Sequence, residues 1–117
     1  MADQIRTKNP INIEDVEEIE TAKGVFLTPL AYNNEVMLCN FKLIKGTIIP
    51  LHNHPNVQVG YVISGKVKFL KEKSESFIAS QGDSYIFDSN EKHGAEILEN
   101  TVIIEIFAPT RNEFKPK

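Results

Sequence analysis

The sequence has little with which to cross-link itself, span a bilayer or grip a polyanion. Its one cysteine, Cys39, excludes an intrachain disulfide. A lone thiol suits a reducing compartment, and a cytoplasmic protein is expected. No apolar run approaches the roughly 18 residues that a spanning helix needs, so no membrane role is expected. The opening Met1-Ala2-Asp3-Gln4-Ile5-Arg6 lacks a charged stretch followed by an apolar one, so no secretory leader is expected. Basic residues gather only at Lys66, Lys68, Lys71 and Lys73. Lys66 and Lys68 alternate with Val67 and Phe69, the pattern of a strand with one wet face. A formal net charge of −3 and a pI near 5.6 argue against a nucleic-acid partner, which needs a clustered basic face. No helical period runs long enough to supply a crossover helix, which argues against a parallel α/β sheet. Gly-x-Ser-x-Gly and phosphate loops are absent, and no histidine is spare to pair with Cys39 or a serine.

What is present is a β pattern. The 117 residues fit one domain, read here as 1–117, with 41% hydrophobic and 25% charged residues. The first ten residues are polar, end at Pro10 and read as a loose arm. Ile13, Val16 and Ile19 are spaced by three in an acidic stretch, which fits one helical turn or a short strand. From there, short runs punctuated by Gly, Pro, Asn and Ser predict strands at Gly24–Leu30, Glu35–Ile44, Thr47–Leu51, Val57–Ser64, Lys66–Lys73, Ser76–Ala79, Ser84–Phe87, Gly94–Leu98 and Thr101–Phe107. In the second, Met37, Cys39, Phe41 and Leu43 share one face, and Cys39 reads as a small core residue. Ser64-Gly65 predicts a tight hairpin corner, and Gln81-Gly82-Asp83 a turn with glycine at positive φ. Short strands at close intervals predict an all-β sandwich or closed barrel.

The three histidines of the chain are His52, His54 and His93. On extended backbone His52 and His54 point the same way, close enough to share an ion. Gln58 stands an even offset beyond His54, with Pro55 bending the chain between them. His93 sits in the later turn Ser89-Asn90-Glu91-Lys92-His93-Gly94.

The run from Gly46 through His52-Asn53-His54 and Gln58 to Gly65 resembles the first cupin motif, with Gln58 in the place of the usual Glu. Gly82 to His93 resembles the second cupin motif. There Asp88 replaces the motif proline, Asn90 its second glycine and Ile97 its closing asparagine. Asn tolerates positive φ better than most residues, whereas losing proline removes a restraint. The resemblance covers about residues 40–110. It implies an all-β, single-domain cupin of jelly-roll (RmlC-like) barrel type and a homodimer. It also implies one divalent transition metal held by His52, His54, Gln58 and His93. Imidazole with one oxygen donor suits Ni, Fe, Zn, Co or Mn. Four neutral ligands leave the ion's double charge uncompensated, so a small anionic substrate is expected.

A narrower resemblance lies in His52-Asn53-His54-Pro55 through Gly65, and in Glu105-Ile106-Phe107-Ala108-Pro109-Thr110-Arg111. Both are similar to a subgroup of small cupins, the KdgF-type proteins of pectin and alginate breakdown. These convert 4,5-unsaturated monouronates to a linear keto form. By that resemblance Glu105 moves a proton and Arg111 grips the substrate carboxylate. Gln58, Phe107, Arg111 and Tyr61 would contact the sugar acid. Ile103, Glu105 and Phe107 share one face of their strand, but both faces are apolar apart from Glu105, so periodicity leaves the inner face open. Two other functions fit the same metal site: an oxygen-using three-histidine cupin enzyme and a non-catalytic module binding a sugar or small acid.

Overall fold

The computed structural model describes residues 8–72 and 75–116. Its strands are β1 (Ile19–Ala22), β2 (Val25–Tyr32), β3 (Met37–Leu43), β4 (Ile48–His52), β5 (Val57–Ser64), β6 (Lys66–Lys71), β7 (Phe77–Ser80), β8 (Ser84–Phe87), β9 (His93–Ile97) and β10 (Thr101–Ala108). The only helical elements among the described residues are two short 3₁₀ turns, Ile13–Asp15 and Asn112–Phe114. The ambiguous acidic stretch therefore holds both elements. Asn12 Oδ1 accepts the Glu14 N–H and starts the turn, and β1 follows. The polar arm falls mostly on residues 1–7, and Lys73 also lies outside the described residues.

Every strand pair is antiparallel. One sheet has the order β1-β2-β3-β10-β5-β8, and the other β4-β9-β6-β7. The two enclose an interior built by period-two alternation. Met37, Cys39, Phe41 and Leu43 are buried on β3, as their shared face predicts. On β10 the buried set is Thr101, Ile103, Glu105 and Phe107, so the face that periodicity left open is decided by packing. Phe87 and Phe107 are almost wholly out of water. Burying a ring of this kind stabilises the fold by roughly 1.5–3 kcal/mol.

Ser64-Gly65 is a corner, but it does not join a hairpin. β5 pairs with β10 and β8 in one sheet, whereas β6 pairs with β9 and β7 in the other. The chain changes sheet there because Gly65, at φ 100°, passes against the next corner. A Cβ on it would lie 2.5 Å from the Asn100 carbonyl oxygen. The Gly82 turn also changes sheet, from β7 to β8. It is closed by the Asp83 N–H on the Ser80 carbonyl (2.9 Å) and the Ser80 N–H on Asp83 Oδ2 (2.7 Å). No helix among the described residues is long and apolar enough to cross a membrane.

Candidate metal centre and cavity

His52 ends β4 and His93 opens β9, and the two are direct cross-strand partners. His54 lies beyond the end of β4, in the connection to β5, so it reaches the others by the bend at Pro55 rather than by strand alternation. The three rings converge all the same. One nitrogen of each lies within 4.8 Å of one from every other.

The other nitrogen of each ring is engaged by main chain. Nδ1 of His52 bonds the Pro50 carbonyl (2.9 Å), that of His54 the Asn56 carbonyl (3.0 Å) and that of His93 the Glu91 carbonyl (2.8 Å). A carbonyl oxygen only accepts, so each Nδ1 carries a proton and Nε2 is the nitrogen left to offer a lone pair to an ion. Burial, then the charge of Arg111, holds His54 below the ordinary imidazole range. Burial likewise pushes His93 down to about 4, with His52 and His54 adding to the effect. Both rings therefore stay neutral, as ligands must. Phe87 stacks flat on His93, with centroids 4.3 Å apart and planes 4° apart, which sets its plane.

Gln58 is the fourth group. It is buried on β5, and its amide nitrogen donates to Glu105 Oε2 at 2.7 Å. That bond fixes the amide orientation, so Oε1 faces the histidines. It lies 3.1 Å from His54 Nε2 and 3.2 Å from His93 Nε2. An amide oxygen and two unprotonated ring nitrogens are all acceptors. Acceptors gathered this closely are reconciled by a cation among them, so His52, His54 and His93 fit a metal site.

Glu105 is buried, and Tyr85 donates its hydroxyl to the same Oε2 at 2.5 Å. Burial pushes the Glu105 carboxyl up, against the opposing pull of Tyr85, Gln58 and Arg111. Burial and the nearby carboxylate push the Tyr85 phenol up, so it remains a donor. The phenol reaches Glu105 because its cross-strand partner is Gly60. A Cβ there would sit 2.1 Å from Tyr85 Cζ.

A cavity of about 290 Å³ opens beside these groups. Its polar wall carries His52, His93, Gln58, Glu105 and Arg111, and much of the remainder is apolar, with Phe107 among it. Arg111 follows β10 and lies over two rings, 4.1 Å from the Phe114 centroid and 5.1 Å from that of Phe107. Its Nε and Nη2 donate to Glu113 Oε2 at 3.2 and 2.9 Å, and no bond to another described residue occupies Nη1.

Tyr61 is not at the cavity. It is 48% exposed on the outer face of β5. Gln58 and Tyr61 are three apart, and an odd offset on a strand puts two side chains on opposite faces. Three further contributors carry no functional signal in the sequence. Tyr85 has the alternation of an ordinary core residue, and only the fold brings its hydroxyl to the buried carboxylate. Thr21 in β1 and Lys23 in the β1–β2 turn border the cavity, just beyond an acidic stretch that signals only a wet surface.

The turn before His93 departs from the motif and still closes. Asn90 takes φ 61°, the left-handed conformation for which the motif uses glycine. Its N–H donates to the His54 carbonyl at 2.8 Å, tying the turn to a second histidine.

Comparison with known proteins agrees with this architecture. The family model described as a cupin domain matches residues 40–107. The pectin degradation protein KdgF of Dickeya dadantii (strain 3937) is 31% identical over 97 residues, which is 81% of this chain and 87% of that protein. The structure of KdgF from Halomonas sp. superposes with a TM-score of 0.83 at 24% identity, covering 90% of this chain and 98% of that one. An RmlC-like cupin from Shewanella frigidimarina NCIMB 400 superposes at 0.87, also at 24% identity, covering 94% and 98%. On the family match, the relative and the shared barrel, this chain belongs to the cupin family.

Proposed function

We propose that this cupin is a metal-dependent enzyme that opens a 4,5-unsaturated monouronate to its linear keto acid. The observation that carries the reading is one constellation. A buried carboxylate, Glu105, is joined through Gln58 to the histidine cluster and shares a cavity with Arg111. Similarity to KdgF, a pectin degradation protein, supplies the substrate class.

His52, His54, Gln58 and His93 would hold the metal, and a divalent ion would act as a Lewis acid on a substrate oxygen. The remaining work falls to side chains. The reaction is an isomerisation. The C1 hydroxyl loses its proton and C1 becomes a carbonyl as the C1–ring oxygen bond breaks; the ring oxygen then forms a carbonyl with C5, and the C4=C5 π pair takes a proton at C4. One carboxylate can take the first proton and return the second. Oε2 of Glu105 is filled by Tyr85 and Gln58, so Oε1 is the oxygen that exchanges protons. Arg111, with Nη1 open, pairs the substrate carboxylate by charge-assisted hydrogen bonds. Phe107 forms the floor beneath it. The apolar walls exclude water from the proton path.

The working unit is a homodimer. Support comes from the outer face of the larger sheet, where Val59, Tyr61 and Ile63 on β5, Ile86 on β8 and Ile106 on β10 are all exposed. A wet sheet face would alternate with polar residues there.

The test is loss of ultraviolet absorbance of the conjugated double bond in the metallated protein. Glu105→Gln should lower kcat by roughly a hundredfold or more, the usual worth of a positioned acid–base group. Arg111→Ala should act mainly on KM. Full turnover in both variants would refute these roles. A metallated parent that binds the uronate without converting it would leave a binding module in place of an enzyme.

A further inference from the structure

The second motif of this chain lacks its proline, yet the turn it should stiffen delivers His93 within reach of Gln58. Some other restraint must act on residues 88–93. Glu91 makes contacts at both ends of that segment. Toward its start, the Glu91 N–H donates to the Asp88 carbonyl at 3.0 Å. The Asp88 N–H donates back to Glu91 Oε1 at 2.9 Å. This N–H is the donor that a proline at 88 would not have. Toward its end, the Glu91 carbonyl accepts Nδ1–H of His93.

The carboxylate is itself anchored. Glu91 Oε2 lies 2.7 Å from Nζ of Lys71 on β6, and both side chains are about three-quarters buried, at 26% and 25% exposure. Lys71 is the cross-strand partner of His93. Its Nζ also lies 6.0 Å from the centre of Phe87, the ring stacked on His93. A buried-edge ion pair with a fixed partner is held more firmly than an exposed one. The contacts form one unit: β6 holds Lys71, Lys71 holds Glu91, Glu91 closes the turn on Asp88, and its carbonyl orients the histidine.

We infer that Glu91, braced by Lys71, is a positioning residue that takes over the restraint of the missing motif proline and sets His93 toward the metal. The inference rests on the metal reading above, and its test is metal affinity rather than turnover.

Zn²⁺ is titrated against a competing chelator in the parent chain and in three variants. Glu91→Ala should weaken Zn²⁺ binding roughly ten- to a hundredfold, the usual effect of removing a group that orients a metal-bound imidazole. Glu91→Gln keeps an acceptor for the Asp88 N–H but gives up the charge facing Lys71, so it should fall between the two. Glu91→Ala combined with Asp88→Pro should regain most of the loss. Proline presets φ at 88 and removes the N–H that Glu91→Ala would orphan. A generic loss of packing would not be rescued this way. If Glu91→Ala binds Zn²⁺ as tightly as the parent, or if the double variant is no better than Glu91→Ala, the inference falls and the metal site stands. If the parent itself binds no metal ion, the metal reading falls and takes the inference with it.

Discussion

The amide at position 58 does two jobs that a carboxylate cannot do together. Its oxygen faces His54 and His93, while its nitrogen donates to Glu105 at 2.7 Å. Gln58→Glu, which restores the commoner motif residue, replaces that donor with a second acceptor. A hydrogen bond to a charged partner is worth about 1.5–3 kcal/mol, and although Tyr85 still donates to the same oxygen, setting a second carboxylate beside it adds a like-charge penalty. Without metal we expect a loss of about 3 kcal/mol at pH 8. At ~4 °C per kcal/mol for a domain of this size, that is a fall in Tm of roughly 12 °C. The loss should depend on pH with a defined sign. Two carboxylates this close raise their shared pKa above the unfolded value, so the folded variant binds the extra proton. Stability is then present at low pH, where a proton remakes the bond, and is lost as pH rises through the raised pKa. The assay is thermal and urea unfolding of parent and variant in chelator between pH 5 and 8. Excess divalent metal should then stabilise the variant more than the parent, because its charge offsets the added carboxylate. Equal stability of the two proteins at pH 8 in chelator would refute the reasoning.

Other outcomes follow from the same geometry. His93 is held near 4 against an ordinary 6.5, so between these values the unfolded chain takes a proton that the folded one refuses. Metal-free stability present above 6.5 is lost as pH falls toward 4, by up to about 3 kcal/mol from this ring; urea midpoints should show a smaller acid loss in His93→Gln than in the parent. Gly60→Ala should cost about 2–3 kcal/mol, because the new Cβ would meet Tyr85 Cζ at 2.1 Å. The same change in a Tyr85→Ala background should cost much less, which a double-mutant unfolding cycle measures. Ile86 is 58% exposed on the apolar outer face, so if that face carries the proposed dimer, Ile86→Lys should give a monomer by light scattering without changing circular dichroism. An unchanged mass would refute that interface.

Much of the barrel is legible along the chain because strand alternation is local. Met37 to Leu43 and Lys66 to Phe69 show the inner and outer faces directly, and the residues between strands are those that turn. The three histidines fall at motif spacings, and the structure gathers them although His54 has left its strand. The same local logic misjudged Tyr61, where resemblance outweighed an odd offset that placed it outside. It also read Ser64-Gly65 as a hairpin, since a glycine at positive φ marks a sharp change of direction without saying which strands will pair.

What the sequence by itself determined is what spacing can encode: β strands, three histidines at motif positions, an amide where a carboxylate is usual, and a second motif without its proline. Only the tertiary structure decided the matters that depend on residues far apart in the chain. Glu105 faces inward because β10 lies between β3 and β5, and no property of β10 alone distinguishes its two apolar faces. Tyr85 reaches that carboxylate through the gap left by Gly60, on a different strand. Glu91 replaces a proline only because Lys71 stands opposite His93 on β6. Each of these is a contact between segments 20 or more residues apart along the chain, where the deciding energy is burial and pairing in three dimensions rather than local preference.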